Sequence, residues 1–135
     1  LVFKISQLNK KKTMNELIVN EFMKFYYNNL NTKENDMCFK HLIPHLKQHS
    51  VFIRDSKQLK GEKQIIETIF KTPYQFIPQK IDILINGERR ANVMVSGQVI
   101  SGSSDVLNIF SEYFHLAYGN DKQYWIHTSI LQFQK

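Results

Sequence analysis

Near residue 80 the apolar residues of this chain change their spacing, from steps of three and four to alternation by two. From Met14 to Leu30 the residues Leu17, Ile18, Phe22, Phe25, Tyr26 and Leu30 fall on one side of a helix. Lys80 to Ile85 instead sets Ile81, Ile83 and Ile85 against Lys80, Asp82 and Leu84, and Asn86-Gly87 is a hairpin turn signal. Strands follow over Arg90 to Ser101, Val106 to Tyr118 and Tyr124 to Phe133, separated by Gly102-Ser103-Ser104-Asp105 and Gly119-Asn120-Asp121. Helices come first and hairpin-linked strands second. That order predicts an α+β fold, a curved antiparallel sheet with helices packed on one face.

Between the two regimes, residues 31–36 are polar turn chemistry, and Met37 to Leu46 offers a short helix interrupted at Pro44. Val51 to Ile53 reads as a strand and Asp55 to Gly61 as a turn. Glu62 to Phe70 reads as a helix with Ile65, Ile66, Ile69 and Phe70 on one side, bounded by Pro73. The aromatic stripe Phe22, Phe25, Tyr26 and Tyr27 reads as core.

With 135 residues, 42% of them hydrophobic and only 5 Gly and 3 Pro, the chain has apolar matter for one real core, and no apolar run approaches a membrane span. The formal charge of +6 is uneven. Lys4, Lys10, Lys11 and Lys12 lie in residues 1–13, leaving fourteen basic against twelve acidic residues in the rest. The expected organisation is a basic arm over 1–13, flexible or outside the native chain, which would then start at Met14, and one domain over 14–135. The arm lacks the order of a signal peptide, because its lysines follow its apolar residues. Weak, sequence-independent RNA contact by Arg89-Arg90 and by the rim Lys57, Lys60, Lys63 is the most that this charge supports.

Strand parity divides the sheet residues. Val93, Val95, Gly97 and Val99, then Phe110, Phe114 and Leu116, then Trp125, Leu131 and Phe133 form the more apolar, helix-facing set. The opposite set is Met94, Ser96, Gln98 and Ile100, Ser111, Tyr113 and His115, and Tyr124, Ile126, Thr128, Ile130 and Gln132. Its mixture of Met, Ile and Tyr with small polar groups suits a protein interface, and Met94, Ser96, Gln98, Tyr113, His115, Ile130 and Gln132 are its expected contact residues. Glu112 breaks the inward pattern, so it is paired near a cavity mouth or carries a shifted pKa. An inward carboxylate also opens a catalytic reading, for which Asp55, Glu112 and His127 are the candidates.

His41, His45 and His49 recur every four residues, but Pro44 interrupts the helix and no Cys or acid completes a zinc set. Neither a phosphate loop nor a nucleophile motif occurs, so neither cofactor nor metal is implied. The lone Cys38 fits a reducing compartment and a small buried position.

Several of these segments, in order, resemble the nuclear transport factor 2 family. Glu21 to Tyr27 is similar to its F-x-x-x-Y-Y helix. Val51 to Gly61 with Ile65, Phe70 and Pro73 resembles its W-x-G-x-x-x-x-G-x-x-x-I segment. Val95-Ser96-Gly97-Gln98-Val99 resembles V-x-G-x-V, and Phe110, Phe114 and Leu116 resemble F-x-Q-x-F-x-L. Tyr124 to Phe133 resembles W-x-I-x-N-D-x-F-R-F.

The resemblance implies a cone, a strongly curved antiparallel sheet wrapped around N-terminal helices. It also implies a dimer through the outer sheet face, homodimeric or with a related domain, and docking of Phe-Gly nucleoporin repeats during traffic between nucleus and cytoplasm at the nuclear pore. A Ran import carrier would use Asp55, yet Gly102-Ser103-Ser104 stands where the family's acidic loop would be, which argues against Ran. Thr128-Ser129 and Gln132 replace the family's N-D and R. The resemblance therefore favours the small messenger RNA export adaptor. The same fold class includes isomerases and dehydratases that use a cavity carboxylate or His, the rival expectation. A cytoplasmic peptide-binding scaffold is a further one.

Overall fold

The computed structural model describes residues 13–32, 37–69, 74–101 and 107–134, with backbone only for 37–39. The expectations placed on Cys38's side chain, on Phe70, Pro73 and Gly102-Ser103-Ser104, and on the arm before Thr13 lie outside the described residues. Helix α1 spans Met14–Asn31. Thr13 caps it, its hydroxyl accepting from the Glu16 N–H at 3.2 Å. Val19, Phe22, Met23, Tyr26, Tyr27 and Leu30 form its buried stripe. Helix α2 (Met37–Leu42) gives way to a 3₁₀ turn at Ile43–His45, where Pro44 removes an amide donor.

Strand β1 (Val51–Arg54) returns at once as β2 (Lys57–Lys60), which leads into helix α3 (Gly61–Ile69). The expected turn from Asp55 to Gly61 is thus a tight hairpin plus a strand. Asp55 and Ser56 take φ of 50° and 65°, the mirror-image turn that matches strand twist, and four residues remain free to pair with β1. Strands β3 (Tyr74–Asn86), β4 (Arg90–Ser101), β5 (Leu107–Tyr118) and β6 (Tyr124–Gln134) complete the chain. β3 starts six residues before the alternation at Lys80 because a bulge between Pro78 and Lys80 resets its parity.

The six strands form one curved, unclosed sheet in the order β2-β1-β6-β5-β4-β3. All pairings are antiparallel except β1 with β6, which the long connection through α3 and β3 to β5 makes parallel. Helix α1 lies inside the curve against β3, with Tyr26 and Tyr27 edge-on to Phe114 at 5.2 and 6.2 Å between ring centroids.

The parity assigned to β4 and β5 is the parity observed: Val93, Val95, Val99, Phe110, Phe114 and Leu116 are buried. On β6 it holds only beyond Thr128. A bulge opposite His115 and Leu116 puts two β6 residues, His127 and Thr128, on the outer side, which reverses the faces of everything before them. Tyr124 and Ile126, expected outside, are buried in the core, and Trp125, expected inside, is half-buried on the outer face.

Candidate functional site

The inside of the cone holds one buried carboxylate among the described residues, and its geometry limits its chemistry. Glu112 is fully buried in mid-β5. Its Oε1 accepts from the Tyr27 hydroxyl at 2.8 Å. Its Oε2 accepts from Arg54 Nη2 at 2.6 Å and from Ser129 Oγ at 2.7 Å. α1, β1 and β6 each supply one donor, so Glu112 is paired, one of the two outcomes its inward position allowed. Burial first, then the Glu112 charge, pushes the Tyr27 phenol well up, so it stays a donor.

Beside this network lies an apolar cavity of about 260 Å³, lined among others by Leu30, Leu59, Phe76, Leu131 and Phe133. Arg54 reaches its wall and Glu112 does not, so the guanidinium stands between carboxylate and cavity. Asp55 reaches it from the β1–β2 turn and Lys57 from the start of β2. Tyr26 also lines it, its buried hydroxyl near the Arg54 guanidinium but with no partner in hydrogen-bond geometry. Burial, then Glu112, pushes that phenol up as well, with Arg54 offsetting part of the effect.

The three residues considered as a catalytic set do not converge. Glu112 is sealed inside, Asp55 is exposed on its turn, and His127 is on the outer face with Nδ1 2.7 Å from Thr128 Oγ1. The three spaced histidines are apart in role too. His41 Nδ1 is 2.9 Å from Asn29 Oδ1, His45 Nδ1 is 2.7 Å from the Tyr124 carbonyl, and His49 lies on an exposed turn.

On the outer face the expected residues form rows across three strands. Met94, Tyr113 and Ile130 align in one row, and Ser96, Ser111 and Gln132 in the next. Met94, Ser111, Tyr113, Ile130 and Gln132 enclose a shallow hollow, and Met94 is 45% exposed. Gln98 pairs with Ile109 one row further on, and Ile109 and Leu107 are more than half exposed. His115 sits at the other end, beside the β6 bulge. A second apolar groove runs along α1 between Ile18, Phe22, Phe25, Tyr118 and Tyr124.

Residues 18–133 match the family model of the Nuclear transport factor 2 (NTF2) domain. The chain belongs to the nuclear transport factor 2 family. A nuclear transport factor 2 of Candida albicans is 25% identical over 111 residues, covering 79% of this chain and 86% of the relative. Among solved structures, nuclear transport factor 2 from Cryptosporidium parvum superposes with a TM-score of 0.73 at 19% identity, covering 88% of this chain and 94% of that one. A ketosteroid isomerase-like protein from Erwinia carotovora atroseptica reaches 0.72 at 13% identity, covering 92% and 99%. At such identities the structural likeness establishes the fold, which transport factors and isomerase-like proteins share.

What sequence reasoning missed in this nuclear transport factor 2 family member is the set of partners. Arg54, Tyr27 and Ser129 satisfy Glu112; sheet register brings in Arg54, which shares one row with Leu131 and Glu112 across β1, β6 and β5, and the packing of α1 on the sheet brings in Tyr27. The available signal was an arginine at the end of a strand two residues after the buried Phe52, the same parity.

Proposed function

We propose that this domain is a non-enzymatic nucleocytoplasmic transport adaptor that pairs through its outer sheet face, with itself or with a related domain, and docks Phe-Gly repeats of nuclear pore proteins. The observation that carries the reading is the Met94–Tyr113–Ile130 row. Three sizeable side chains in register, with polar Ser96, Ser111 and Gln132 beside them, make a mixed apolar and polar surface that gains by burial against a like surface. The groove between Ile18, Phe22, Phe25, Tyr118 and Tyr124 suits a Phe ring held weakly enough for fast exchange. Gly102-Ser103-Ser104 in place of an acidic loop favours the messenger RNA export type over Ran import. Such an adaptor works in nucleus and cytoplasm and at the pore between them.

The cavity beside Tyr26 favours a second reading, a small-molecule enzyme of the isomerase or dehydratase type. Against it, Glu112 has both oxygens engaged and Arg54 beside it, which leaves Asp55, exposed on the β1–β2 turn, as the carboxylate at the cavity wall among the described residues. Light scattering on the full chain tests the pairing face. A dimer mass that falls to monomer in Met94→Glu or Ile130→Glu supports it, and a mass unchanged by both substitutions overturns it as the contact.

A further inference from the structure

The outer sheet face has a second half that the pairing row does not use. The bulge that sends both His127 and Thr128 outward also turns Trp125 out, so β6 presents Trp125 and His127 beside His115 of β5. The rings adjoin: His115 to His127 is 5.3 Å and His127 to Trp125 is 5.6 Å between centroids. Cations flank them. Lys47 Nζ sits 5.3 Å from the Trp125 ring centre, and Arg90 Nη1 is 3.4 Å from His115 Nε2. Arg89, next along the hairpin, reaches Asn120 Oδ1 at 3.4 Å. None of Lys47, Arg89 and Arg90 has an ion-pair partner among the described residues. The acids on the neighbouring turns are Glu88, which is exposed, and Asp121, whose Oδ1 accepts from the Gln123 N–H.

From this juxtaposition we infer that the Trp125–His127–His115 end of the sheet, with Lys47, Arg89 and Arg90, binds single-stranded nucleic acid without sequence preference. The three adjoining rings are part exposed and tilted by 47° and 49° to one another, so each offers its own face or edge to a separate unstacked base, and any base has a face to offer in return. Cations with no ion-pair partner among the described residues stand at the border and provide the phosphate contacts, which supply affinity but no sequence information. An acidic peptide would use the cations and leave the rings idle. Duplex would present stacked bases that the rings cannot reach. The surface begins one row beyond Met94, Tyr113 and Ile130 and takes in His115, which the sequence assigns to the pairing face, so the inference requires a pairing contact centred on that row that leaves Trp125 and His127 open.

Trp125 is the single tryptophan of the chain, so its emission reports the site directly. The full chain is titrated with an oligouridylate of about twelve nucleotides at low salt. The expected result is saturable quenching that weakens as salt rises. Lys47→Glu with Arg90→Glu lowers affinity about tenfold or more and flattens the salt dependence. His127→Ala reduces the quenching while leaving the salt slope in place. A parallel variant with Lys10, Lys11 and Lys12 changed to Gln separates the basic arm from the sheet and keeps the quenching. Circular dichroism and solution mass confirm that each variant keeps fold and assembly. The inference is overturned by the absence of quenching, by binding that the sheet variants leave intact and the arm variant abolishes, or by an oligoglutamate or duplex that quenches equally well.

Discussion

Arg54 Nη2 lies 2.6 Å from Glu112 Oε2, a contact that ties the end of β1 to the middle of β5 across the whole width of β6. The arginine side chain is 17% exposed and the glutamate 1%, so water screens the pair little. Glu112→Ala strands a largely buried guanidinium and two hydroxyls, and a loss of about 3–5 kcal/mol in urea unfolding is expected. The double change Arg54→Met with Glu112→Leu removes both charges and recovers most of that loss. A single mutant within about 1 kcal/mol of the parent would show that the pair holds nothing together.

Adjacent tyrosines on α1 have opposite expectations. Tyr27→Phe takes away the donor to Glu112 Oε1 and costs about 1–3 kcal/mol. Tyr26→Phe deletes a buried hydroxyl that has the Arg54 guanidinium nearby but no partner in hydrogen-bond geometry, so stability stays level or rises by about 1 kcal/mol. Chemical denaturation of the two variants side by side checks the sign difference.

Gly97 faces the β3 bulge, where an added Cβ would meet the Ile77 carbonyl oxygen at 2.2 Å and the Pro78 Cα at 2.9 Å. Backbone on both sides leaves it nowhere to go. Gly97→Ala therefore destabilises by about 1–3 kcal/mol or more, and amide exchange of β3 rises before that of β5.

Burial, then Arg90, then His127 hold the His115 imidazole below its ordinary 6.5. Because the folded state takes up that proton less readily than the unfolded chain, stability falls as pH drops below the unfolded value and levels off below the folded one. Urea midpoints between about pH 7 and about pH 5 should decline less in His115→Asn than in the parent. An equal decline in both would assign the acid sensitivity to other groups.

Where local pattern and pairing agree, the chain is readable without coordinates. β4 from Arg90 to Ser101 and its inward Val93, Val95 and Val99 follow from alternation alone, as does the inward position of Glu112. β6 was half legible, because a bulge has no residue signature in Trp125-Ile126-His127-Thr128, and one extra residue exchanges the faces of all that precede it. Arg54 and Ser129 escaped because a hydrogen bond between strands distant in sequence depends on register, which composition does not encode. β2 escaped because Lys57-Gln58-Leu59-Lys60 has a single apolar residue and is a strand only by virtue of its neighbour.

The parallel seam between β1 and β6 bears on how the chain is made. Val51 lies opposite Thr128, so during synthesis the β1–β2 hairpin leaves the ribosome with one edge unmatched until β6 follows it. α1 can settle on the β3–β4–β5 meander earlier, but Arg54 finds Glu112 only at the closing step. That order predicts a late transition state governed by long-range closure, and a nascent intermediate whose open strand edge is the point that a chaperone, or a second unfinished chain, would capture.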